Sequence, residues 1–219
     1  MRYDTVVFDN DGVLVGRTRF DVLQTATEET FEKFDVSDPD PEYVEDMTIG
    51  ATPERVTRVC NEYGLDPERF WRVRDRTMSG AQQAEARAGR KTPYDDISVL
   101  DDLDAACGIV SSNQQETVDF LLDHFDIGDH FQTAYGRNAT VESLDLRKPN
   151  SHYLDRALAE LDGESALFVG DNESDIRAAE NAGIDSAFIR RPHRTDWELN
   201  VWPTWDIDSL KDLHRICRA

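Results

Sequence analysis

At 219 residues, with 45 acids against 24 bases and a net charge of −21, the chain suits one core domain carrying a modest insertion. Acids spread along its whole length exclude a disordered acidic tail and a nucleic-acid binder, which needs a basic surface against the phosphate backbone. No apolar run approaches a membrane span, and Cys60, Cys107 and Cys217, like the five scattered histidines, lack any metal-site spacing.

The first residues, MRYDTVVFDNDG, carry acids where an export signal needs an apolar core, so a cytoplasmic protein with reduced thiols is expected. Residues 3–8 read as a short buried strand that runs into Asp9-Asn10-Asp11-Gly12. Over residues 17–88 the pattern turns helical. Phe20, Leu23, Thr27, Phe31 and Phe34 recur at helical spacing, and Thr52-Pro53 and Asp66-Pro67 read as caps with proline in the first turn. After Gly89 helices and strands alternate. A helix is expected at about 95–106, a strand at 108–112, a helix at 114–124, a strand at 131–136 and a helix at 150–161. A strand at 166–170, a helix at 173–182, a strand at 186–190 and a last helix at about 208–217 follow. Such alternation predicts an α/β fold, a doubly wound, Rossmann-like parallel sheet covered on both faces. Residues 1–16 and 89–219 would form the core, and 17–88 a helical insertion. A surface this acidic suits high salt, where screening tolerates self-repulsion, so a halophilic source is expected.

Ligands of open parallel sheets bind beyond the carboxyl ends of the strands. The expected strands deliver Asp9 and Asp11, then Ser111, Ser112 and Asn113, then Lys148 at some distance, then Asp171 and Asp175. Several carboxylates meeting one lysine repel one another unless a divalent cation sits among them. All-oxygen ligands without Cys or His indicate Mg²⁺. A serine hydroxyl and helix N-terminal amides suit phosphate oxygens, and a lysine adds a point charge. One carboxylate can be the nucleophile, and a second beside it can move the proton. Together these groups describe phosphoryl transfer.

Each residue also has a plainer reading. Asp9 and Asp11 could belong to an Asp-Gly turn, although a two-residue spacing on extended chain puts both on one side. Ser111, Ser112 or Asn113 could cap a helix. Lys148 could be a solvated surface group, although the chain keeps only Lys33, Lys91, Lys148 and Lys211 beside its many arginines. Asp171 could be a strand-end turn residue, and Asp175 a first-turn acid favoured by the helix dipole.

In this order, DNDGVL, VSSN, KP and GDNESD resemble the motifs of the haloacid dehalogenase-like superfamily, over about two thirds of the chain. The insertion resembles the helical cap of its phosphoglycolate phosphatase and β-phosphoglucomutase branch. The resemblance implies a Mg²⁺-dependent phosphatase acting on a small phosphorylated metabolite, as a monomer or weak dimer. Asp9 would be the nucleophile and Asp11 the general acid and base. Asp9, the Asp11 backbone carbonyl and Asp171 would hold Mg²⁺. Ser111 and the Ser112 amide would bind phosphoryl oxygens, Lys148 would offset their charge, and Asp175 would orient Lys148 or the metal's water shell.

The chain departs from the branch at Gly16-Arg17, where an acid is common, and that leaves the substrate open. A phosphomutase would use the same groups and keep the phosphate. A haloacid dehalogenase would need neither Asp11 nor metal. A phospho-receiver module would carry its phosphoacceptor after the third strand, where the chain has Tyr135-Gly136.

Overall fold

The computed structural model describes residues 2–218. Its sheet has six parallel strands: β1 (Thr5–Phe8), β2 (Ala106–Gln114), β3 (Thr133–Arg137), β4 (Ala166–Gly170), β5 (Asp185–Ile189) and β6 (Trp205–Ile207). They lie in the order β3-β2-β1-β4-β5-β6, so β1 is central, and Phe8 stands beside Ile109 of β2 and Val169 of β4. The whole of β1 is buried, as a central parallel strand with both faces covered must be. Side chains alternate across it. Val6 and Phe8 join Ile109, Val169 and Ile189 on one face, beneath α5 (Gln115–His124) and α8 (Leu213–Ile216). Val7 joins Val110 and Phe168 on the other, beneath α6 (His152–Leu161) and α7 (Glu173–Ala182). Burying Phe8 alone contributes roughly 2–3 kcal/mol.

Four helices fill the segment between β1 and β2: α1 (Phe20–Glu32), α2 (Pro41–Thr48), α3 (Pro53–Glu62) and α4 (Pro67–Arg87). Their own core contains Phe31, Met47, Val59, Phe70 and Trp71, and packs on Val141 and Leu144 of the sheet domain. The expected caps form: Thr52 accepts from the Arg55 amide (3.2 Å) and Asp66 from the Arg69 amide (2.7 Å). The chain enters and leaves this layer side by side, with Val15 bridging antiparallel to Pro93. Gly16 N donates to Thr92 O (2.8 Å) and Tyr94 N to Leu14 O (3.0 Å).

Two expected helices take another form, the last one, 208–217, being a 3₁₀ turn at Leu210–Asp212 followed by the short α8, and two elements, α2 and β6, stand where none is expected. The segment 95–106 holds a 3₁₀ helix, Asp95–Asp102, and then opens β2. Asp96 in that 3₁₀ helix is bound by Arg191, Ser209 and the Leu210 amide. Helix α2 was signalled by Asp40-Pro41, the same cap that announces α3 and α4, with Asp40 accepting from Glu42 N at 2.8 Å. Strand β6 is three residues long beside Pro203, too short for a periodic signal, and is fixed by pairing with β5. Among the described residues no helix is long and apolar enough to cross a membrane, and all three cysteines are free and buried.

Candidate active site

The strand order turns back at β1, between β2 and β4, which opens a crevice at its carboxyl end. Asp9 is the first residue beyond that end. Its amide donates to Val169 O (2.9 Å), and its Oδ1 accepts from the Asn10 amide (2.7 Å). The chain then turns sharply at Gly12, whose φ is 84°. A Cβ there would lie 2.4 Å from Asp171 Oδ2, so glycine is required both by the turn and by the approach of Asp171.

Lys148 reaches the same point from the loop after β3. Its Nζ lies 2.9 Å from Asp9 and 2.7 Å from Asp175. Asp175 also uses its other oxygen at the start of α7, accepting from Asn172 N at 3.0 Å. It is thus a first-turn acid and the partner of Lys148 at once. Gly170 permits this, since a Cβ there would meet the Asp175 Cβ at 2.2 Å.

The register between β2 and β3 breaks between Val110 and Gln114. A bulge of this kind re-aims the residues it contains, here Ser111, Ser112 and Asn113. None of the three caps α5, which starts at Gln115 with no side-chain cap, so its first amides are left for another acceptor. Ser111 is buried, and its Oγ accepts from Asn113 N (3.2 Å).

Asp9, Asp11, Ser111, Ser112, Lys148, Asp171 and Asp175 all line one cavity of about 300 Å³. The helical layer closes its far side with Thr48, Arg74, Met78 and Gln82. The carboxylate oxygens of Asp9, Asp171 and Asp175 can lie within 4.8 Å of one another. Burial pushes Asp9 up to about 7, with Asp175 and Asp171 adding to the rise and Lys148 opposing it. Asp175 is raised by burial as well. Burial works against the charge of Lys148, but Asp175 and Asp9 outweigh it and raise its pKa. A closed, all-carboxylate group whose members repel one another fits a hard divalent cation such as Mg²⁺.

Three partners of these groups, Lys91, His193 and Arg194, escape the sequence, whereas Asn113 is expected at this edge. Lys91, wholly buried, binds Asp11 Oδ1, and Asn113 Nδ2 donates to Asp11 Oδ2 (2.9 Å). His193 Nε2 lies 2.6 Å from Asp171 Oδ2, and Arg194 Nε donates to Asp171 O (2.8 Å). For Lys91 a signal existed, since the scarcity of lysine that marks Lys148 marks it equally.

A family model described as haloacid dehalogenase-like hydrolase matches residues 6–189. The pyrophosphatase PpaX of Bacillus cereus is 24% identical over 222 residues, covering 97% of this chain and 95% of its own. Among solved structures, CbbY from Rhodobacter sphaeroides, in complex with phosphate, aligns with a TM-score of 0.70 at 19% identity over 94% of each chain. A predicted phosphoglycolate phosphatase from Haemophilus somnus aligns with a TM-score of 0.66 at 19% identity over 99% of each chain.

Proposed function

The chain belongs to the haloacid dehalogenase-like hydrolases, and on that premise we propose that it is a Mg²⁺-dependent phosphatase that hydrolyses a small phosphorylated metabolite through an aspartyl-phosphate on Asp9. The observation that carries this reading is the convergence on Asp9 of Lys148, Asp171 and Asp175, with Asp11 two residues along the same turn. Relatives named as pyrophosphatase and phosphoglycolate phosphatase support a phosphate-ester or anhydride substrate.

The reaction runs in two steps. An oxygen of the Asp9 carboxylate attacks phosphorus, the bond to the leaving oxygen breaks, and Asp11 supplies that oxygen's proton. Water then attacks the phosphorylated Asp9 and gives its proton to Asp11, and Asp9 is restored as phosphate departs. Lys148, held between Asp9 and Asp175, offsets charge on the phosphoryl oxygens. Ser111 and the Ser112 amide bind those oxygens and keep the group in line for attack. Asp9, Asp171 and the Asp11 backbone carbonyl would hold Mg²⁺, which supplies positive charge where the phosphoryl oxygens gather negative charge. The helical layer over the cavity would act as a cap that excludes water from the first step.

Phosphate release from p-nitrophenyl phosphate and from a panel of phosphoglycolate, sugar phosphates and pyrophosphate, at high and low KCl, tests the reading. Release that stops with EDTA and returns with Mg²⁺ supports it. An isomerised sugar phosphate without free phosphate would assign a phosphomutase instead. Halide release surviving EDTA would assign a dehalogenase.

A further inference from the structure

We propose that Lys91 is a positioning residue for Asp11, holding one carboxylate oxygen while Asn113 holds the other, so that Asp11 is aimed at the water that frees Asp9. The proposal rests on the phosphatase reading above. Lys91 has no exposed surface. A buried ammonium is costly unless it is paired and hydrogen-bonded, and its Nζ has two partners, Asp11 Oδ1 and Gly16 O (2.8 Å). The crossing between the two layers does not need this lysine for its own geometry. Backbone bonds from Gly16 to Thr92 and from Tyr94 to Leu14 already join the two passages, and an apolar side chain would fill the site without burying a charge.

What lysine adds is a fixed direction for Asp11, whose side chain keeps 23% of its surface open and lines the cavity. The second oxygen is held at 2.9 Å by Asn113 Nδ2. Asn113 is itself bound to Gln82 of α4, by paired amide bonds of 2.9 and 3.0 Å. The carboxylate is therefore held from two segments, the return passage and the bulged end of β2, and the second is tied in turn to the helical layer. A group that must meet an incoming water within hydrogen-bond reach gains from such a clamp, because small misplacements cost large factors in rate.

The two half-reactions depend on the clamp unequally when the substrate is p-nitrophenyl phosphate. In the first, Asp9 oxygen bonds to phosphorus and nitrophenolate leaves as a stable anion, with no proton required. In the second, water oxygen bonds to phosphorus, the bond from phosphorus to Asp9 oxygen breaks, and the water proton passes to Asp11. Loss of Lys91 should slow the second step and spare the first.

Rapid mixing of the full chain with p-nitrophenyl phosphate and Mg²⁺ reads both steps. For Lys91→Met we expect kcat to fall roughly 10–100-fold, less than the roughly 10²–10⁴-fold that a positioned base supplies in full, because Asp11 itself stays in place. KM should fall with it, and a nitrophenolate burst near one per site should appear as phosphorylated Asp9 accumulates. Lys91→Gln, which keeps a donor for Gly16 O, should show the same pattern more weakly. Damage to the fold alone would lower burst and rate together. Unchanged kcat, or a fall without a burst, overturns the proposal, as does failure of both variants to fold, which would make Lys91 a structural staple. The parent reading fails separately, if the unaltered chain hydrolyses neither p-nitrophenyl phosphate nor acetyl phosphate, or if Asp9→Asn retains its activity.

Discussion

Burial and two neighbouring carboxylates push Asp9 from its ordinary 3.8 up to about 7, with Lys148 pulling the other way. An acid whose folded pKa is raised makes the fold less stable as pH climbs through the window between the two values, here from about 4 to about 7. Asp9→Asn removes that charge. Without metal, the variant should therefore be more stable than the unaltered chain at pH 8. Urea titrations should show the gap closing as pH falls toward 4, and an equal gap at both ends would contradict the assignment. Asp175→Ala should act on two properties at once, since Asp175 serves a helix start and a lysine. The Asn172 amide at the start of α7 should lose its protection from hydrogen exchange with its partner in the capping box gone, and kcat should fall with the freed Lys148. Asp9, Asp11 and Asp171 are legible in the chain because strand ends and short spacings are local, and Lys148 because lysine is scarce and this one stands before Pro149. Lys91 and His193 are not, because they meet Asp11 and Asp171 from 80 and 22 residues away, and only the folded sheet fixes which long-range pairs touch.

Elements that announce themselves by chemistry are the ones the sequence makes visible. Proline after a side-chain acceptor marks α3 and α4 and equally marks α2. Strand β4 stands at the expected residues and β1 carries the apolar run Val6-Val7-Phe8 inside the expected 3–8, whereas β6 exists only through its neighbour. Between elements, the helical layer meets the sheet through a polar pair that no local pattern reveals. Asp75 of α4 accepts from Arg137 of β3 (2.5 Å) and from Arg74 (3.0 Å), all three being buried. Asp75→Ala leaves two guanidinium groups without their counter-charge. Breaking a buried pair in this way typically costs about 3–5 kcal/mol, and a thermal melt should show it. A change of less than 1 kcal/mol would mean that other partners take over. At Gly12, alanine would carry its Cβ into the Asp171 carboxylate at a positive φ. Gly12→Ala should weaken Mg²⁺ binding, read by isothermal titration, more than it lowers the melting temperature.

The whole molecule carries −21 in 219 residues, yet acids of the cavity are paired with Lys91, Lys148 and Arg194. Self-repulsion on the outside is long-ranged and screened by salt, with a Debye length of about 10 Å at 0.1 M and about 3 Å at 1 M. The melting temperature should therefore rise between 0.1 and 2 M KCl, and a flat or falling curve would contradict adaptation to salt. Buried pairs inside the cavity are screened far less, so hydrolysis should track the folded fraction across that range. The central claim is tested most directly by mixing the protein with p-nitrophenyl phosphate and Mg²⁺, quenching in acid and mapping the phosphorylated peptide. The two-step reaction predicts a phosphoryl group on Asp9 that forms and decays fast enough to account for kcat, and none in Asp9→Asn. Phosphate release at full rate with no phosphorylated Asp9, or with the label on another residue, would contradict it.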